Sequence, residues 1–318
     1  MSSTQAKIFS KTRSFSTLAL ITVVALSVIF SQTVNHSDIT WQVVVALIAL
    51  AVGIPHGALD HLVALPRASF IKMALFIVIY VVIAVAAVWA ILSWSVLGFI
   101  GVVIMSALHF GFGDTAFISE LDRLEKGKKA SRFAQGCYAF SAGSLPVLIP
   151  LTNDKSTDAL AAVNSELISW HGGHDRQILI AVLLCTVVTA IVIARESRWR
   201  DLLDLATLAA LALVTPPLVA FAAYFGLWHA LRHTARLTLN LKRSQSAITE
   251  GNAAKAFRQA VIPGLPALVG TFIVSLLIAW QTSGDISDRY LWLSLVVVWA
   301  LTVPHMMVTV KLDRAALG

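Results

Sequence analysis

Charged residues are scarce in this sequence. Asp, Glu, Lys and Arg make up 13% of its 318 residues, where an ordinary soluble domain carries about a quarter. Such a chain lacks the polar surface a water-soluble globule needs, and 58% hydrophobic residues with a mean hydropathy of +0.80 argue against one. Cysteine is almost missing too. Cys137 and Cys185 sit in apolar runs without C-x-x-C spacing, so neither a disulfide framework nor a zinc knuckle is indicated, and both read as packing residues. The alternating strands of a transmembrane barrel and any fixed-period repeat are also lacking.

What is present is a series of apolar runs of roughly 17 to 25 residues, the length an α-helix needs to cross about 30 Å of hydrocarbon. They predict an all-α, polytopic integral membrane bundle of about ten transmembrane helices, at 14–31, 40–60, 70–92, 95–117, 132–150, 178–195, 202–215, 217–238, 261–281 and 290–311. Pro216 and Pro217 separate the seventh from the eighth, since two prolines favour a break over one long kinked span. The first run has no small-x-small cleavage site, so a retained helix is expected rather than a signal peptide. Residues 1–13 then form an N-terminal segment, 14–311 one transmembrane domain and 312–318 a tail. The net charge of +7 lies in short segments between apolar runs, which marks it as a topology signal and not as a nucleic-acid surface. With the N-terminus inside, only Lys155, Arg176 and Arg289 fall on the outer side, leaving 21 of the 24 Lys and Arg inside. Both termini are therefore expected in the cytoplasm, and the protein in the cell (inner) membrane. The outer segment 151–177 carries Asp154, Asp158, Glu166, His171, His174 and Asp175 and is expected to form a short cap.

Of the nine histidines, His36, His171 and His174 fall in outer loops and His61 at a span end. His56, His109, His229, His233 and His305 fall inside even-numbered spans, roughly 6 to 14 Å below the cytoplasmic boundary at the helical rise per residue. A lone intramembrane histidine often does no more than hydrogen-bond a neighbouring helix. Five at one depth point instead to a shared site, because each would otherwise need its own polar partner in hydrocarbon.

Four local motifs carry these residues. In WHALRH, His229 and His233 stand at i and i+4, which is metal-ligand spacing on one helical face. The glutamate of a zinc-protease HExxH is missing, so that chemistry is not supported. In GIPHGALDH, Pro55 interrupts the helix just before His56, and His61, five positions on, joins the same ion only if the helix breaks between them. HFGFGD carries His109 between close-packing glycines, and VPHMM repeats the Pro-His pair at His305. Asp60 and Asp114 are candidates to orient imidazoles through the second ring nitrogen. Four imidazoles would saturate tetrahedral zinc but leave one or two positions open on five- or six-coordinate iron, although imidazole suits zinc, copper and iron alike.

At these motifs, PHGALDH at 55–61, HFGFGD at 109–114, PPLVAFAAYFGLWHALRH at 216–233 and TVPHM at 302–306, the chain resembles the Brp/Blh family of membrane-bound bacterial and archaeal β-carotene 15,15′-dioxygenases. The resemblance implies an Fe(2+) enzyme that cleaves the central double bond of β-carotene with O₂ to give two molecules of retinal. It implies His56, His109, His229 and His233 as iron ligands, leaves His305 and His61 as additional candidates, and links the product to a retinal-binding rhodopsin. The chain itself does not read as such a rhodopsin, since no lysine stands in the middle of a span. A carotenoid substrate partitions into membrane lipid and is expected to enter laterally between helices. Trp228, Phe110, Phe112, Tyr224 and Phe225, adjacent to the histidines, are candidates to line that path.

Two other readings of the histidines stay open at this point. One is a non-enzymatic transporter that relays protons, the other a carotenoid- or haem-binding membrane protein. A di-iron desaturase is set aside because it needs about eight histidines in HxxxH and HxxHH boxes.

Overall fold

The computed structural model describes residues 3–31, 39–65, 69–154, 156–281 and 286–318. His36 and Lys155 of the sequence reading lie outside the described residues. Among those residues there is no strand. The chain runs through α1 (Ser3–Ile29), α2 (Ile39–Gly57), α3 (Asp60–Ala64), α4 (Phe70–Ser93), α5 (Ser95–Glu125), α6 (Arg132–Leu151), α7 (Ser156–Val163) and α8 (Asp175–Arg195). It continues through α9 (Trp199–Val214), α10 (Pro217–Ala223), α11 (Ala230–Leu237), α12 (Lys242–Thr249), α13 (Ala253–Val261), α14 (Leu265–Gln281) and α15 (Ile286–Leu317). A π-helical stretch, Tyr224–His229, joins α10 to α11.

Seven helical stretches are long and apolar enough to cross a membrane: Ser3–Ile29, Trp41–Ala64, Phe70–Ser93, Ser95–Glu125, Asp175–Arg195, Ala253–Val274 and Leu295–Leu317. Each of the ten expected runs is helical, but those at 132–150, 202–215 and 217–238 are not among the seven. Their composition explains it. α9 has only 16 residues and carries Asp201 and Asp204, while α10 and α11 with the π stretch carry Arg232 and Arg236. α6 is rich in Gly, Ser and Pro, and most of its residues are buried against α5, α8 and α9. These three segments form the inner layer, so protein groups and not lipid meet their polar side chains.

Two packing details hold that layer in place. α5 and α6 approach until a Cβ on Gly111 would stand 1.8 Å from the carbonyl oxygen of Ala139, and one on Gly143 equally close to that of Ala107. Only glycine at both positions allows the contact. The second detail is ionic. Arg13, Arg232 and Arg236, which the inside-positive pattern treats as surface charges, are buried in ion pairs. Arg13 of α1 bridges Asp201 at 2.5 Å and Asp204 at 2.9 Å, Arg232 reaches Asp204 at 3.1 Å, and Arg236 joins Glu120 at 2.8 Å and Asp313 at 2.6 Å. α1 starts at Ser3 instead of residue 14, and its first turns are buried: Ile8 and Phe9 lie in the core, with Phe9 stacked on Phe117 of α5 at 5.0 Å.

Candidate metal centre

Five histidines from four separate parts of the chain meet in the interior of the bundle. His56 comes from the last turn of α2, His109 from α5, His229 from the end of the π stretch, His233 from α11 and His305 from α15 just after Pro304. All five are buried. Taken in order, the ring centroids of His109, His229, His56 and His305 form a closed circuit with sides of 4.9, 5.5, 5.4 and 5.1 Å. His233 sits over it, 5.1 Å from His56, 6.0 Å from His229 and 5.6 Å from His305. No group of three or more His, Cys, Asp or Glu among the described residues reaches the geometry of an assembled metal-ion site. The structure gathers five imidazoles into one cluster of ring contacts.

Hydrogen bonding decides which nitrogen faces that centre. His56 Nδ1 pairs with the carbonyl oxygen of Gly53, and a carbonyl only accepts, so the proton is on Nδ1 and Nε2 carries a bare lone pair. His109 Nδ1 lies 3.2 Å from Thr309 Oγ1, whose own hydrogen goes to the Met306 carbonyl 3.1 Å away. The threonine oxygen is thus the acceptor, and His109 also presents a bare Nε2. His305 Nδ1 stands 2.9 Å from both oxygens of Asp60, with the same result. The Nε2 atoms of His229, His233 and His305 are buried and have no hydrogen-bond partner. Buried nitrogens without partners are expensive unless something else meets them.

The expected supporting residues divide. Asp60 meets an imidazole, that of His305, and also accepts from the Tyr80 hydroxyl at 2.9 Å. Asp114 does not meet one. It accepts from Trp228 Nε1 at 2.7 Å and from the Tyr224 hydroxyl at 3.2 Å. The helix does break between His56 and His61, at Ala58 and Leu59, yet His61 stays off the circuit, half-buried at the cavity wall. Phe110 and Phe225 pack beside the histidines, with centroids 4.5 Å from His229 and 5.8 Å from His56 respectively. Trp228 and Tyr224 turn towards Asp114, and Phe112 is 43% exposed on the outside.

A cavity of about 360 Å³ touches His56, His109, His229 and His305 but not His233, so it opens on the other face of the circuit. Its walls are otherwise mainly apolar, with Phe76, Tyr80, Phe110, Phe221, Phe225 and Trp299 prominent. Ile77, Val81 and Leu301 also line it, and these and Phe221 are exposed on the flank of the bundle.

Three contributors escape a reading of motifs. Thr309 was findable, four residues after His305 and so on the same helical face. Tyr80 carries no local signal, and neither does the π stretch, whose wider turn resets the angle between α10 and His229; such turns often accompany functional sites.

The comparisons with known proteins point to one family. The family model described as β-carotene 15,15′-dioxygenase matches residues 47–313. The chain is 26% identical over 289 residues to the probable β-carotene 15,15′-dioxygenase Blh of Halobacterium salinarum, covering 84% of this chain and 82% of that protein. It is also 26% identical over 279 residues to the β-carotene 15,15′-dioxygenase of an uncultured marine bacterium, covering 80% and 88%. No solved structure matches. The family match spans all five histidines and the cavity walls, and the chain belongs to the β-carotene 15,15′-dioxygenase family.

Proposed function

We propose that this protein cleaves β-carotene at its central 15,15′ double bond with O₂, one oxygen atom going to each of two molecules of retinal. Iron(II) would be held by His56, His109, His229 and His233. The observation that carries this is the set of bare or unpartnered Nε2 atoms clustered beside an apolar cavity in a bundle of long apolar helices. The fit to an ion is good: a nitrogen about 2.1 Å from a first-row metal puts its ring centroid roughly 3.3 Å out, so neighbours at 90–110° stand about 4.6–5.4 Å apart. The observed separations run from that range to slightly wider. Iron(II), when bound, supplies the one-electron chemistry that lets dioxygen react with a closed-shell polyene.

The chain's own residues do the rest. Gly53 and Thr309 hold the Nδ1 protons of His56 and His109 away from the centre. Phe110, Phe221 and Phe225 give the polyene an apolar wall and exclude water, and the exposed edge at Ile77 and Val81 admits it from the lipid. The same reading takes α6, α9 and α10–α11 as further crossings, about ten in all, with both termini cytoplasmic in the cell membrane. It makes a retinal-binding rhodopsin the natural consumer of the product.

Expression in β-carotene-accumulating cells tests the proposal. Colour should fade as retinal appears, and His56→Ala, His109→Ala, His229→Ala or His233→Ala should each abolish this while the protein still inserts. Purified protein should hold stoichiometric iron and show no Soret band. A protein that binds carotenoid but contains no metal and forms no retinal would instead be a non-enzymatic carrier.

A further inference from the structure

We propose that His305, backed by Asp60, is a fifth imidazole ligand of the same centre. This rests on reading the cluster as an iron(II) site.

Three observations carry it. His305 is a corner of the circuit and not a neighbour of it: it joins His109 to His56 on the side opposite His229, with its centroid 5.1 and 5.4 Å from theirs. Its Nε2 is buried and unpartnered. A histidine that merely packed beside Pro304 would spend that nitrogen on a neighbouring helix. Finally, its Nδ1 proton is committed to the two Asp60 oxygens at 2.9 Å. The nitrogen left over has a lone pair and no proton, so it suits a cation and not a donated hydrogen bond to substrate.

Asp60 is placed for this task. α2 ends at Gly57 and α3 begins at Asp60, so the break that leaves His61 at the cavity wall brings Asp60 under His305. The Tyr80 hydroxyl, 2.9 Å from Asp60 Oδ2, fixes the carboxylate in turn. A carboxylate on the far nitrogen orients a ligand imidazole and raises its basicity. The cavity touches the four circuit histidines and misses His233, which puts His233 on the closed face.

The test uses purified full-length protein in detergent, titrated with Co(II) as a spectroscopic stand-in and anaerobically with Fe(II). His305→Ala should bind both ions more than tenfold more weakly and change the visible Co(II) band, and added imidazole should restore both. Asp60→Asn should weaken binding roughly 10–100-fold. Should the alanine variant fail to fold, His305→Gln carries the same expectation except for imidazole rescue. Unaltered affinity and an unaltered Co(II) band in the His305 variants would overturn this assignment and leave the four-histidine site standing. So would a lowered unfolding midpoint of the metal-free variant with wild-type affinity, which is the mark of a structural role. Wild-type protein that binds neither ion would overturn the iron reading itself.

Discussion

Gly53 shows how closely single residues are fitted around the centre. A Cβ there would lie 2.0 Å from Phe225 Cε1, and the Gly53 carbonyl is the partner of His56 Nδ1. Gly53→Ala therefore pushes the Phe225 ring into the cavity without removing any ligand. An overpacked site of this kind costs about 1–3 kcal/mol. Retinal formation should fall with iron content kept, and Phe225→Leu in the same chain should restore much of it. Equal activity in Gly53→Ala alone would mean that the ring moves freely. At this scale the sequence is informative about type and poor about partner. The intramembrane histidines are legible because ionisable groups in hydrocarbon need a reason. Asp60 and Asp114 look alike as carboxylates near the inner boundary, and nothing local says that one meets His305 and the other Trp228. That distinction arises from helices brought together from 245 and 114 positions away in the chain.

At the scale of the element, the segment Trp228–His233 has two working faces. His229 and His233 face the centre. Trp228 and Arg232, each one residue earlier, form the adjacent stripe, where the Arg232 guanidinium lies 3.3 Å from the Trp228 ring centroid. Arg232 is tied to α1 through Ser16 at 3.1 Å and through Asp204, which Arg13 also holds. α1 precedes the stretch matched by the family model, yet it is part of the frame behind two candidate ligands. Arg13→Met would leave Asp201 and Asp204 buried with part of their charge unanswered, and losing one partner of a buried pair costs roughly 3–5 kcal/mol. Because Arg232 still answers Asp204, the lower end is expected. The unfolding midpoint in detergent should drop clearly, and Arg13→Met with Asp204→Asn should recover part of the loss; a variant as stable as wild type would show α1 to be dispensable. The existence of α1 was legible as an apolar run. Its first turns were not, because Arg13 reads equally as a surface topology signal, and only its ion pairs in the fold distinguish the two. The same ambiguity affects α9 and α11, whose buried charges lower their hydropathy to the point where length and composition no longer identify a crossing.

For the whole molecule, the deciding relation is between the cavity and the bundle's flank. About 360 Å³ is near the low end of the roughly 300–1,000 Å³ that holds drug-sized ligands, so a C40 polyene can place its middle at the histidines only if its ends run beyond the cavity. The exposed wall residues supply that continuation: Ile77 and Val81 on α4 are 49% and 52% exposed on the flank of the bundle. A substrate that arrives through lipid passes this edge, whereas one delivered from water would have no use for it. Val81→Trp replaces one lipid-facing apolar side chain with another, and so should change stability by no more than about 0.5 kcal/mol, with iron content intact. It should nevertheless raise the KM for β-carotene in vesicles severalfold, and affect a shorter apocarotenal less, because less of that molecule must cross the edge. An unaltered KM in both Val81→Trp and Ile77→Trp would rule out this flank as the route, and the long substrate would then have to reach the histidines by parting helices elsewhere in the bundle.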